Sequence, residues 1–257
     1  MTALHRLPWA SAAGASLLIF AACSTSGPVP PPSPAALQEG PAEGAVPLGV
    51  HWVRTAAEHR MLFEEVYRWA GDKVEAEVSE GVAPGPWAVI LDADETVLDN
   101  STYQLRRARQ GLGYTPESWN EWVREEAAPA LPGAVTFVRR VRALGGHIAI
   151  VTNRDEVVCD ATRRNLASVG VAADVVLCRQ PGPSEKESRF RAVEEGTTPV
   201  GLPPLHVVAW IGDNIHDFPG GNQALGQAGS EAAAEFGGRF FVLPNPMYGS
   251  WTSNPGG

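Results

Sequence analysis

Residues 87–100 read Trp87-Ala88-Val89-Ile90-Leu91-Asp92-Ala93-Asp94-Glu95-Thr96-Val97-Leu98-Asp99-Asn100. Five apolar residues in a row, following the Gly- and Pro-bearing break at 81–86, form a short strand buried on both faces. The acids come directly after it. Residues two apart on an extended chain point the same way, so Asp92 and Asp94 both face the space beyond the strand's end. Carboxylates this close repel unless a proton or a cation separates them, and a hard divalent metal takes oxygen ligands. Taken alone, the pair reads as a solvated acidic turn.

The chain on either side changes that reading. Similar apolar runs recur at 147–151, 174–177 and 207–211, and amphipathic segments at 134–144, 155–169 and 185–195 alternate with them. Strands separated by helices make an α/β fold with a parallel sheet covered on both faces. Residues 239–243 add an edge strand, and the helical spacing over 52–78 gives one or two packing helices, with a core face or an interface as its use. The second strand ends in Thr152-Asn153-Arg154 and the fourth in Gly212-Asp213-Asn214-Ile215-His216-Asp217-Phe218, while Lys186 opens the helix after the third. Open α/β sheets hold ligands at the carboxyl ends of their strands. Four polar strand ends in one layer are a site. Residues 100–131 form an insertion at that same edge. In it Thr115-Pro116-Glu117 starts a helix that carries Trp119, Trp122 and Val123, so a small cap covers the site.

At 257 residues the chain has room for one domain with a small insertion. A formal charge of −9 and the lack of any basic stripe exclude a nucleic-acid polymer as partner. A phosphorylated ligand therefore needs local positive charge from a metal or a few placed Lys and Arg. Residues 1–22 carry Arg6 and an apolar, small-residue stretch too short for a spanning helix, which reads as a secretory signal. Cys23 follows Phe20-Ala21-Ala22, as in a bacterial lipoprotein cleavage site, with Phe20 where Leu is usual. Lipid on Cys23 would anchor the chain to a membrane, the alternative being ordinary signal cleavage nearby with Cys23 incidental, and the Pro-rich residues 23–47 form a tether. The folded domain is then 48–257. Cys159 and Cys178 are either a disulfide, as an exported protein permits, or two buried thiols.

The strand-end motifs resemble those of the haloacid dehalogenase (HAD) superfamily, and more narrowly the class C, lipoprotein-type acid phosphatases, which include bacterial 5′-nucleotidases. The likeness extends from residue 52 to residue 251, through Trp52–His59, Asp94–Asn100, Thr152-Asn153-Arg154, Lys186 with Ser188-Arg189-Phe190, Gly212-Asp213-Asn214, Leu243-Pro244-Asn245 and Tyr248-Gly249. Ala93 departs from the pattern, where Leu is common, and should affect packing only. The resemblance implies a Rossmann-like, doubly wound parallel sheet with a helical cap inserted after the first strand. It implies Asp92 as nucleophile and Asp94 as acid/base, with Mg²⁺ held by the carboxylates of Asp92 and Asp213 and the backbone carbonyl of Asp94. Thr152, Asn153 and Lys186 would hold phosphate, and Asp217 would orient Lys186 or metal-bound water. Trp119 and Tyr248 match positions that stack on a planar leaving group, with a place in the core of the cap as the alternative for Trp119, and Tyr103, close to the first motif, is a third candidate. Arg154 is left between a surface and a structural salt bridge, and Glu95, Asp99 and Asn100 brace the loop. The expected activity is hydrolysis of small phosphomonoesters, nucleoside or nicotinamide monophosphates among them, at the bacterial outer membrane. Phosphotransfer by the same phosphoaspartate, or an inactive surface-binding lipoprotein, is the alternative. A homodimer is compatible with the sequence.

Overall fold

The computed structural model describes residues 45–81, 85–226 and 231–255. The predicted signal segment, the lipidation site Cys23 and the tether up to residue 44 lie outside them. Five strands form one sheet: β1 (Trp87–Leu91), β2 (His147–Asp155), β3 (Val175–Arg179), β4 (His206–Gly212) and β5 (Phe240–Val242). Their order is β3-β2-β1-β4-β5 and every neighbouring pair is parallel. The predicted edge strand is β5. The chain winds outward from β1 in one direction through β2 and β3, then crosses back to β4 on the other side. That reversal puts the topological switch point between β1 and β4, where the carboxyl ends leave a crevice.

Alternation along the strands builds two cores. Val89 and Leu91 of β1 and Ile148 and Ile150 of β2 face a cluster with Phe63, Tyr67, Phe137 and Leu166. These last come from helices α2 (Ala57–Ser79), α5 (Ala134–Ala143) and α6 (Cys159–Ser168). Ala88 and Ile90 of β1 and Ala149 and Val151 of β2 face the other cluster, with Phe190 and Val193 of α7 (Glu187–Glu195) and with Phe218 and Phe240. Both faces are covered, which is why the strands read as continuous apolar runs.

The helical segment predicted over 52–78 is two helices, α1 (Leu48–Thr55) and α2, parted at Ala56, whose φ of −78° and ψ of 130° are extended. Residues 100–131 hold α3 (Ser101–Arg109) and α4 (Pro116–Glu125). Thr115 starts α4 as its composition requires: Pro116 takes the first helical position, and the Ser118 amide donates to Thr115 Oγ1 at 3.2 Å. Cys159 and Cys178, left open by the sequence, form a disulfide with a Cα–Cα distance of 5.9 Å, tying the start of α6 to β3. Among the described residues no helix is long and apolar enough to cross a membrane.

Candidate active site

Asp92 continues the β1–β4 pairing by one residue, its amide donating to Ile211 O at 3.0 Å. The chain then turns back on itself. Glu95 takes a left-handed φ of 54°, uncommon outside glycine, and the amides of Val97 and Leu98 both donate to Ala93 O. Tyr67 of α2 donates its hydroxyl to Thr96 O at 2.8 Å from below. The loop is thus held in one shape, with Ala93 wholly buried on the core side and the Asp94 amide donating to Asp92 Oδ2 at 3.0 Å.

Lys186, buried at the start of α7, donates from Nζ to Asp92 Oδ1 and, at 2.7 Å, to Asp217 Oδ1. The other Asp217 oxygen accepts from the Asn214 amide at 2.8 Å. Among the described residues Asp213 accepts from neutral donors alone, Thr96 Oγ1 at 3.3 Å and Asn245 Nδ2 at 2.8 Å. Carboxylate oxygens of Asp92, Asp213 and Asp217 lie within 4.8 Å of one another. Burial, reinforced by Asp217 and Asp94, holds the Asp92 carboxyl up to about 7 against the pull of Lys186. Burial likewise pushes Asp213 well above the usual carboxylate range, with Asp217 and Asp92 adding repulsion. Burial lowers Lys186, but Asp217 and Asp92 outweigh it and push it up to about 12. Three close acids stand beside one lysine, which bonds Asp92 and Asp217 and leaves the charge of Asp213 unmatched by any bond to a cation among the described residues. This all-oxygen donor set with excess negative charge fits a hard divalent cation.

The acids open into a cavity of about 910 Å³. Asp92, Asp94, Lys186, Asp213 and Asp217 line its floor, Asn153 one wall, and Tyr114, Trp119 and Tyr248 contribute aromatic surface. The sequence profile of the HAD superfamily, subfamily IIIB (Acid phosphatase), matches residues 41–251. The chain belongs to that subfamily. A class C acid phosphatase from Bacillus anthracis superposes on this IIIB chain with a TM-score of 0.71 and 33% identity, covering 79% of this chain and 85% of its own. The same protein with tungstate bound gives a TM-score of 0.70. Among curated relatives, acid phosphatase 1 of Solanum lycopersicum is 28% identical over 168 residues, 62% of this chain. The stem 28 kDa glycoprotein of Glycine max is 26% identical over a similar stretch. The chain spans 57% and 58% of the length of these two relatives.

Of the other residues expected in the IIIB site, Asn153 and Tyr248 line the cavity and Tyr103 and Thr152 do not. Tyr103 is a correction: it is buried, its hydroxyl meets Ser118 Oγ at 2.9 Å, and its ring stands edge-on to Trp119 at 5.0 Å. It braces Trp119 from behind and offers no face to a ligand. Thr152 is fully buried, and its hydroxyl accepts from the Arg154 amide at 3.2 Å, so it is not part of the cavity wall. Asn153 is exposed at the wall, and its Oδ1 accepts from Arg189 Nη2 at 2.6 Å. Tyr248 lines the cavity while its hydroxyl donates to the buried Glu95 at 2.9 Å.

Two contributors were missed, and the sequence leaves Arg154 between two readings. Tyr114 gives the cavity a further ring, 6.3 Å from Trp119; nothing in its local sequence set it apart. Asn245, visible in the late Leu-Pro-Asn motif but given no role, holds Asp213. Arg154, read as a salt bridge of no stated partner, is buried against Asp94.

Proposed function

We propose that this chain is an acid phosphatase that hydrolyses small phosphomonoesters through a phosphoaspartate on Asp92. The observation that carries the reading is the buried Lys186 bonded to both Asp92 and Asp217, with Asp213 beside them, at the floor of an aromatic-walled cavity. A Mg²⁺ ion held by the carboxylates of Asp92 and Asp213 and the carbonyl of Asp94 would offset the charge of nucleophile and phosphate and stabilise the transition state. A carboxylate oxygen of Asp92 attacks phosphorus. The bond to the leaving oxygen breaks with its electron pair, and Asp94 supplies the proton that makes the departing group a neutral alcohol. Asp94, now a carboxylate, takes a proton from water as that water attacks phosphorus; the acyl phosphate bond breaks and Asp92 is regenerated. Lys186, held by Asp217, offers its ammonium to phosphate oxygens, with Asn153 as a second donor.

Trp119, Tyr114 and Tyr248 favour a leaving group with a planar ring, such as a nucleoside or nicotinamide riboside; stacking on one ring contributes about 1–3 kcal/mol. The tungstate bound by the Bacillus anthracis enzyme is a tetrahedral oxyanion, as phosphate is. Lipid on Cys23 would hold the enzyme at the cell envelope, and labelling with radioactive palmitate, lost in Cys23→Ala, tests that anchor. For the activity itself, a chromogenic phosphate ester is assayed with Mg²⁺ and with EDTA, in the wild type and in Asp92→Asn. Turnover that requires the cation and vanishes in the variant is expected. Equal turnover in Asp92→Asn would sink the reading.

A further inference from the structure

Arg154 is the largest fully buried side chain of the described residues. A buried guanidinium is costly unless its charge and its donors are met, and here they converge on one atom. Nε lies 2.9 Å and Nη2 2.8 Å from Asp94 Oδ1. Nη2 also donates to Asn100 Oδ1 at 3.2 Å, and Nη1 to Thr162 Oγ1 at 3.4 Å. Asn100, fully buried as well, donates from Nδ2 to the same Asp94 oxygen at 2.9 Å. The orientation of its amide is dictated from the cap. Trp122 of α4 can only donate, and its Nε1 lies 2.8 Å from Asn100 Oδ1, so Nδ2 must face Asp94. Asp94 Oδ1 therefore accepts from Arg154 Nε and Asn100 Nδ2, with Arg154 Nη2 in ion-pair contact beside them, while no described residue bonds Oδ2. The Asp94 side chain keeps 16% of its surface exposed and lines the cavity.

We propose that Arg154 and Asn100 are positioning residues for the leaving-group proton: by saturating Asp94 Oδ1 they confine that proton to Oδ2, the oxygen left open to the cavity. The proposal rests on the reading of Asp94 as general acid. As the bond from phosphorus to the leaving oxygen breaks, the electron pair stays on that oxygen, and the proton crosses to it from Oδ2. Asp94 is left as a carboxylate whose charge is already met at Oδ1. A rotated or unclamped Asp94 would turn a saturated or misdirected oxygen toward the substrate. Trp122 extends the clamp into the cap, so the seating of α4 and the aim of the acid are one structural unit.

The demand for this proton depends on the leaving group. A phenolate stabilised by a nitro group departs without it; an alkoxide does not. The test is kcat/KM over a series of esters from 4-nitrophenyl phosphate to alkyl phosphates, for the wild type, Arg154→Gln, Arg154→Lys and Trp122→Phe. General-acid catalysis contributes about 100-fold or more. We expect Arg154→Gln to lose about 100-fold on alkyl esters and a small fraction of that on 4-nitrophenyl phosphate. Arg154→Lys should recover part of the loss, and Trp122→Phe, which keeps the ring and removes one N–H, should show a shallower slope of the same sign. In an Asp94→Asn background, Arg154→Gln should add no further slope. Equal loss on every ester, or an unchanged slope in a folded Trp122→Phe, overturns the clamp alone. A wild type that hydrolyses no ester overturns the phosphatase reading and the clamp together.

Discussion

Gly212 shows how closely the site is built. A Cβ at that position would lie 2.6 Å from Asp217 Cγ, so only glycine lets the fourth strand pass while Asp217 reaches Lys186. Gly212→Ala should displace Asp217, release one side of Lys186 and lower kcat/KM by about 100-fold, the scale of a misplacement near 1 Å. Steady-state kinetics alongside circular dichroism checks this, and wild-type kinetics in the folded variant would contradict it. The residues that the sequence made legible are those next to the end of an element: Asp92, Asp94 and Asp213 just past a strand and Lys186 at the start of a helix. Arg154 and Asn100 were not legible in the same way. Asn100 takes its direction from a donor on Trp122, 22 residues further along the chain, and Arg154 meets Asp94 and Asn100 from the far end of another strand. Tyr103 was misread for a related reason, since nearness to the motif in sequence says nothing of which side of Trp119 it occupies.

The elements of the sheet were plain from their apolar runs, because burial on both faces removes polar residues from a strand. The break between α1 and α2 was not, since Ala56 is at home in a helix. Gly49 of α1 packs on the C-terminal segment, where a Cβ would stand 3.2 Å from Met247 Cα. That segment carries Asn245 and Tyr248, which bond Asp213 and Glu95. In the cap, α4 presents Trp119 to the cavity. Trp119→Ala should raise KM for a nucleoside monophosphate by about tenfold, as the loss of one stacked face implies, with a smaller change for glycerol phosphate. Equal changes for both would remove the stacking role. The disulfide closes a loop between residues 19 apart in sequence. Replacing both cysteines by serine should cost about 3 kcal/mol, the chain-entropy value for such a loop, read as a lower urea midpoint. An unchanged midpoint would show that the bond adds no stability.

For the whole molecule, the main electrostatic burden is the set of buried acids. Burial raises Asp92 to about 7 and holds Asp213 and Glu95 well above the usual range. Because these folded-state values exceed the unfolded ones, the fold favours the neutral acids. Their contribution is fully present below the unfolded pKa, near 3.8 for Asp, and for Asp92 is lost as pH rises through about 7. His59 runs the other way, its pKa lowered chiefly by burial, so raw melting curves mix opposed effects. The gain in melting temperature on adding Mg²⁺ to EDTA-treated protein separates them. It should be larger at pH 8 than at pH 5, where the acids hold protons that a cation must displace; an equal gain at both would mean the ion binds elsewhere. The proposed chemical event is transfer of phosphate to Asp92 and then to water. A trapped adduct is easily missed when hydrolysis of the intermediate is fast, but stereochemistry is not. Hydrolysis of a thiophosphate ester made chiral at phosphorus by oxygen isotopes should proceed with retention, the sum of two inversions through Asp92. Inversion would mean that water attacks directly and that Asp92 is not the nucleophile.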